Sequence, residues 1–197
     1  MRELLLATTN KDKLTEILDG LGEIPFTIIT LRDVSADFDI EETASTVEGN
    51  ALIKAFTYGK RFGKLTLAED TGLEVDALGG RPGVNTARYA PGTHADRRKK
   101  MIEEMSEVTP LRRGARFRSV IAIYDPERGD RVETCEGVCV GRIAESERGE
   151  KGWGYDAIFE YEDGKTGGEL DWEAKKKHNH RSRAAEAARA ALLESFC

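Results

Sequence analysis

The 197-residue chain holds only three cysteines, Cys135, Cys139 and Cys197, too few and too unevenly placed for a disulfide framework. Cys135 and Cys139 stand on a stretch, TCEGVCV, that reads as a strand. Their even spacing puts both thiols on one face, too far apart to bond directly. Small buried thiols are the expectation, and the odd count suits a reducing compartment. Long hydrophobic runs are missing too. The longest early one, Leu4-Leu5-Leu6-Ala7, is far too short for a membrane span or a signal-peptide core, so no membrane partner is expected and the chain reads as cytoplasmic. A surplus of positive charge is also absent. Thirty lysines and arginines against 36 acids leave a net charge of −6, which argues against a nucleic-acid partner and requires any phosphate binding to be local. There is no internal repeat, no low-complexity tract and no Walker loop, whose glycines and GK[ST] ending do not occur.

What is present fits a folded chain. Hydrophobic residues make up 39% and charged residues 34%, enough for a real core under a well-solvated surface. Residues 1–197 read as a single domain, or two lobes sharing one core, with no visible boundary between lobes. Residues 3–7 form a short apolar strand pattern, broken by Thr8-Thr9-Asn10. A helix follows with Leu14, Ile17, Leu18 and Leu21 on one face, and Thr9 with Asp12 fits a capping box at its start. Residues 26–31 read as a strand and 32–46 as a polar stretch. A helix then carries Val47, Ala51, Ala55 and Tyr58, and a strand over 64–68 ends in Glu69-Asp70. Residues 78–83 form a turn, and residues 95–106 a helix with Met101, Ile102 and Met105 as apolar contacts. Two long β-patterned stretches, 115–125 and 131–143, read as a β-hairpin. Gly149 to Asp156 is a glycine-rich loop. An alanine-rich helix from about Arg181 to Glu194 turns Ala184, Ala187, Ala188 and Ala191 inward. Alternation of strands and helices followed by a hairpin predicts an α/β fold: a mixed sheet with flanking helices, two lobes around a central cleft, and a long β-hairpin in the second half.

Four segments carry chemistry. Thr8-Thr9-Asn10-Lys11-Asp12-Lys13 spans a strand–turn–helix junction, where free backbone N–H groups and the helix dipole attract phosphate. Lys11 and Lys13 set two cations against that dipole, as if an anion sat between them. The acids Glu41-Glu42 and Glu69-Asp70 offer the one or two carboxylates that magnesium takes alongside water and phosphate oxygens. Asp70 is expected at a strand end, where open α/β sheets place their ligands. Residues 174–185 gather cations, among them Lys175, Arg181 and Arg183, around His178 and His180. Asn179 is placed there to cap the last helix, making a second anion-binding candidate. Gly152-Trp153-Gly154-Tyr155-Asp156 frames an aromatic ring with glycines, leaving a flat face on which a base could stack.

In order along the chain, these segments resemble one family, the Ham1-type inosine triphosphate pyrophosphatases, nearly end to end. ATTNKDKLTE at 7–16 is similar to the family's T-x-N-x-x-K-x-x-E opening. EETASTVEGNALIKA at 41–55 resembles its acidic loop and following helix, and LAEDTGLEVDALGGRPGVNTARY at 67–89 its central signature. GWGYDAIF, KTGGEL and the pair His180-Arg181 complete the series. The resemblance implies hydrolysis of purine triphosphates outside the standard four (ITP, dITP and XTP) to the monophosphate and pyrophosphate, with magnesium as cofactor, and a homodimeric assembly. It implies that the loop Thr8, Thr9, Asn10, Lys11, Asp12 and Lys13 holds the triphosphate, joined by Lys54. Glu42 and Asp70 would bind the metal, Asp70 activating the attacking water, with Thr71 against the substrate. Trp153 would stack on the purine beside Gly154, Tyr155 and Asp156, while Lys175, His180 and Arg181 read its 6-oxo group. Three departures touch the base pocket: Asn179 replaces the family's serine before His-Arg, Ala174-Lys175-Lys176 replaces E-K-N, and Ala157 stands where proline is common. Other readings of the same residues are a pyrophosphatase for other modified nucleotides, a non-catalytic nucleotide-binding module, and a basic-patch RNA binder.

Overall fold

The computed structural model describes residues 1–38 and 40–197; Asp39, within the polar 32–46 stretch, lies outside the described residues. In chain order the elements are β1 (Arg2–Leu6), α1 (Lys11–Leu21), β2 (Phe26–Thr30), α2 (Val47–Phe62), β3 (Leu65–Val75), β4 (Pro82–Gly83), α3 (His94–Glu104), β5 (Gly114–Asp125), β6 (Arg131–Ile143), β7 (Phe159–Glu160), α4 (Trp172–Lys176) and α5 (His180–Ala191). The strand order is β2-β1-β3-β5-β6-β7, with β4 pairing to β3. β1 runs parallel to both β2 and β3, whereas β3–β4 and β6–β7 are antiparallel, so the sheet is mixed. β5 and β6 are neighbours joined by a short turn at Pro126–Arg128, far too brief for a parallel crossover; the expected hairpin is present.

The chain divides into two units. The first comprises residues 1–71, 119–137 and 180–197, the second 72–118 and 138–179, with β3, β5 and β6 contributing to both. Each has its own apolar cluster. In the first unit Leu4, Leu6, Leu65, Leu67, Ile121 and Ile123 meet Ile17 and Leu21 of α1 and the alanines of α5. In the second, Leu73, Val75, Met101, Met105, Phe117, Ile158 and Phe159 form the core.

Local chemistry sets several boundaries away from the sequence expectation. The α1 cap is Asn10, not Thr9: its Oδ1 accepts from the backbone N–H of Asp12 at 2.9 Å and of Lys13 at 3.1 Å. A short carboxamide at that position meets both orphan donors, so no capping box with Thr9 forms. Leu18, at the edge of the α1 stripe, is 38% exposed, while Gly20 lies inward and lets the helix approach α5. A Cβ on Gly20 would lie 2.6 Å from that of Ala185. α3 begins at His94, because Thr93 and Asp96 make the reciprocal capping box. In α5 the buried stripe is Ala184, Ala185, Ala188 and Ala191, with Ala187 exposed, as a 3.6-residue period through Arg181 requires. Cys135 and Cys139 are both buried on β6 and form no disulfide with each other, as their spacing predicted.

The larger difference concerns β3. It does not stop at Glu69-Asp70 but runs on to Val75, since Leu73 and Val75 resume the apolar alternation after the acids and are fully buried. The two carboxylates therefore lie in mid-strand, and the period of two sends them to opposite faces.

Candidate active site

In the first unit, the alternation of β3 sorts the charged groups. Glu69 and Thr71 share one face and Asp70 occupies the other. On the Asp70 side stands α2. Lys54 places its Nζ 3.2 Å from Asp70 Oδ1 and 2.8 Å from Glu42 Oε1. One turn earlier on the same helix, the fully buried Asn50 donates from Nδ2 to Asp70 Oδ2 at 3.4 Å and accepts at Oδ1 from the Ala44 N–H at 3.0 Å. An uncharged amide thus clips the acidic loop to the strand. Asp70 itself is buried, and that burial pushes its carboxyl above the ordinary aspartate range although Lys54 and Lys13 pull the other way.

On the Glu69 side the partners come from α1, α5 and β5. Lys13 Nζ lies 2.8 Å from Glu69 Oε2. Arg181 donates from Nε to Glu69 Oε1 at 3.0 Å, from Nη2 to Thr71 Oγ1 at 3.1 Å, and from Nη1 to Glu16 Oε2. Ser119 and Thr71 add hydroxyl donors to Glu69 Oε1. Burial alone would raise the Glu69 carboxyl, yet Arg181 and Lys13 beside it hold it well below the usual range. Two cations and two anions therefore form one ladder, Lys13–Glu69–Arg181–Glu16, buried except at its half-exposed Lys13 end. Such pairs are retained only when their remaining polar atoms are satisfied.

Of the residues singled out in the sequence, Lys13, Lys54, Glu42, Asp70, Thr71 and Arg181 thus fall into two linked groups on either face of β3. Thr8 supports the loop by accepting the Asn10 N–H at 3.2 Å. Thr9, Lys11 and Asp12 are exposed, and His180 is buried at the start of α5. Sequence reasoning left out Glu16, Asn50 and Ser119. Glu16 carried a legible signal, standing on the inward stripe of α1 with Ile17, Gly20 and Leu21; Ser119 gave none, since its partner lies in a distant strand.

The second unit holds the glycine–aromatic loop. Asp156 accepts from the Trp153 N–H at 2.8 Å and from Lys175 Nζ at 2.7 Å, both on Oδ2. Glycine surrounds this carboxylate: Gly152 has φ +73°, and a Cβ there would come within 2.1 Å of Asp156 Oδ2, while one on Gly167 would come within 2.9 Å of Oδ1. Tyr155 is buried and donates from its hydroxyl to the Thr86 carbonyl at 3.0 Å. Gly154 accepts at its carbonyl from Arg98 Nη1 at 2.8 Å. Trp153 remains half-buried, its ring edge-on to His94 with centroids 6.1 Å apart. The loop is thus fixed from beneath by an aspartate and presents an indole.

A metal fits the first unit in a particular way. No group of three or more His, Cys, Asp or Glu side chains suited to a metal occurs among the described residues, so no closed cage of protein ligands exists. Glu42 and Asp70 nevertheless converge on a single cationic point, the Lys54 ammonium. Two carboxylates are oxygen donors of the kind a hard divalent cation takes, its remaining ligands coming from water and phosphate oxygens.

The chain matches the Ham1 family over residues 4–191. It is 45% identical to a dITP/XTP pyrophosphatase of Symbiobacterium thermophilum over 183 residues, 93% of this chain and 91% of that one. It is 40% identical to a dITP/XTP pyrophosphatase of Bacillus subtilis over 187 residues, 93% of each. Among solved structures, a HAM1 protein from Coxiella burnetii superposes with a TM-score of 0.90 at 38% identity, covering 99% of this chain and all of that one.

Proposed function

The chain belongs to the Ham1 family, and from that premise we propose that it hydrolyses dITP, ITP and XTP to the nucleoside monophosphate and pyrophosphate, removing these nucleotides from the pool. The observation that carries the chemistry is the meeting of Glu42 and Asp70 at one cationic point, with Lys13 and Lys54 in attendance.

In this reading the triphosphate is held by the Thr8–Lys13 loop and by Lys54. The positive end of α1 and the two ammonium groups neutralise charge on the phosphate oxygens and on the departing pyrophosphate. Asp70 accepts the proton of a water as its oxygen attacks the α-phosphorus. The α–β anhydride bond then breaks and its electron pair leaves with pyrophosphate. Burial raises the affinity of Asp70 for that proton, which suits a general base. Magnesium at Glu42 and Asp70 would supply Lewis acidity toward phosphate oxygens and water.

The base is assigned to Trp153, which stacks on it, with Gly154, Tyr155 and Asp156 shaping the loop. Lys175 and His180 supply polarity toward a 6-oxo group, where adenine would present an amino group and leave a donor facing a donor. We give Arg181 a positioning role instead of the direct base contact expected from sequence, because Nε, Nη1 and Nη2 are all engaged by Glu69, Glu16 and Thr71. The assembly is taken to be a homodimer, as sedimentation of the purified chain would establish.

The decisive assay offers ITP, dITP, XTP and the four standard triphosphates, with and without magnesium, and separates pyrophosphate from orthophosphate release. Magnesium-dependent pyrophosphate from the 6-oxo substrates is expected; release of orthophosphate, or equal use of ATP, would overturn the proposal.

A further inference from the structure

Lys54 occupies the point at which both proposed metal ligands converge: its Nζ lies 2.8 Å from Glu42 Oε1 and 3.2 Å from Asp70 Oδ1, with the side chain 14% exposed. We propose that Lys54 is a built-in stand-in for the metal, holding the two carboxylates together while the site awaits its ion and moving to the triphosphate when the ion arrives. The inference rests on the reading of Glu42 and Asp70 as metal ligands and adds an exchange to it.

Four features support it. Two neighbouring carboxylates repel unless a cation lies between them, and in this fold the cation is the ammonium. A divalent ion and an ammonium cannot share the same two oxygens without strong like-charge repulsion, so one must leave. Lysine is suited to leaving, being a compact charge on a flexible four-carbon stem. The carboxylates, by contrast, have a reason to stay. Asn50 ties Asp70 to the Ala44 backbone beside Glu42 through neutral hydrogen bonds that survive the departure of Lys54.

Exchange predicts opposite effects of one substitution on two ligands. Lys54→Met removes the competitor, so manganese measured alone, as free ion by electron paramagnetic resonance, should bind about tenfold tighter than to the unaltered chain. The same variant should raise the KM for ITP, having lost a triphosphate contact. Lys54→Arg keeps a cation in place and should not tighten manganese binding. A lysine that serves only the triphosphate predicts unchanged manganese affinity in Lys54→Met, and that result would overturn the exchange. Tighter binding in both variants would overturn it as well, since it would report a loosened site instead of a vacated one. Asp70→Asn separates the premise from the inference: if it binds manganese as well as the unaltered chain, the ligand assignment itself has failed. An independent measurement needs no variant. In the isotope-labelled protein, the Lys54 ammonium resonance should shift on magnesium addition without nucleotide; a resonance unmoved at saturating magnesium would defeat the proposal.

Discussion

Glu69 and Asp70 are adjacent in sequence and opposite in electrostatic character. Glu69 is fully enclosed, yet stays a carboxylate because Arg181 and Lys13 outweigh its burial. A depressed pKa in the folded state adds stability that is complete above the unfolded value and is lost as pH falls through the folded one. Asp125, also buried but held down by Arg2, acts in the same direction. Thermal unfolding followed by circular dichroism should therefore show stability declining from about pH 4.3 downward, and Glu69→Gln should flatten part of that decline. Asp70 behaves in reverse. Its raised pKa favours the neutral form in the fold, a contribution present below the unfolded value and lost as pH rises through the folded one. Asp70→Asn should consequently melt higher than the unaltered chain at neutral pH without metal, while its turnover of ITP falls by about 100-fold or more. An asparagine variant that is both less stable and still active would contradict both halves of this account. Arg181→Met leaves Glu69 and Glu16 buried without their shared cation, at a cost of about 3–5 kcal/mol in denaturant titration. Its residual turnover should fall alike on ITP and ATP; a selective change in their ratio would restore Arg181 as a reader of the base.

At the scale of elements, close approach is as telling as charge. Gly59 on α2 faces Tyr124 of β5, and a Cβ there would come within 2.3 Å of the ring. Gly59→Ala should lower the free energy of unfolding by about 1–3 kcal/mol through overpacking, and α2 carries Asn50 and Lys54, so metal affinity should weaken with it. The 152–156 loop makes a different prediction. Asp156→Ala removes the carboxylate that accepts from both the Trp153 N–H and the buried Lys175 ammonium. The KM for ITP should rise more than kcat falls, since the loop is read as holding the base and not as touching the phosphorus. These elements also show what the sequence could and could not disclose. The hairpin and the helices of the first unit were legible because their apolar periods are long and unbroken. The extent of β3 was not. Glu69-Asp70-Thr71-Gly72 reads as a strand end, and only tertiary partners for both acids allow it to continue. The α4 turn, Trp172–Lys176, is too short to impose a period.

Over the whole molecule, the resemblance singled out candidate segments, but not how they are joined. The Thr8–Lys13 loop, the acidic pair and the His180-Arg181 pair were each visible as candidates. Their wiring was not, because Arg181 finds Glu16 across 165 residues and Glu69 across 112, separations that no local pattern encodes. Of the links with an uncharged donor, Ser119 to Glu69 spans 50 residues, whereas Asn50 to Asp70 joins the consecutive elements α2 and β3 across 20.

That wiring bears on how the protein is made. Glu16 and Glu69 are synthesised well before the guanidinium that neutralises them, which follows 165 and 112 residues later in the chain. Until then the nascent first unit has two acids to enclose without the cation they share, so its interior should stay open to water and to proteases. Ribosomes stalled before codon 181 should display protease-sensitive chains, and those stalled on an added C-terminal linker long enough for α5 to clear the exit tunnel resistant ones.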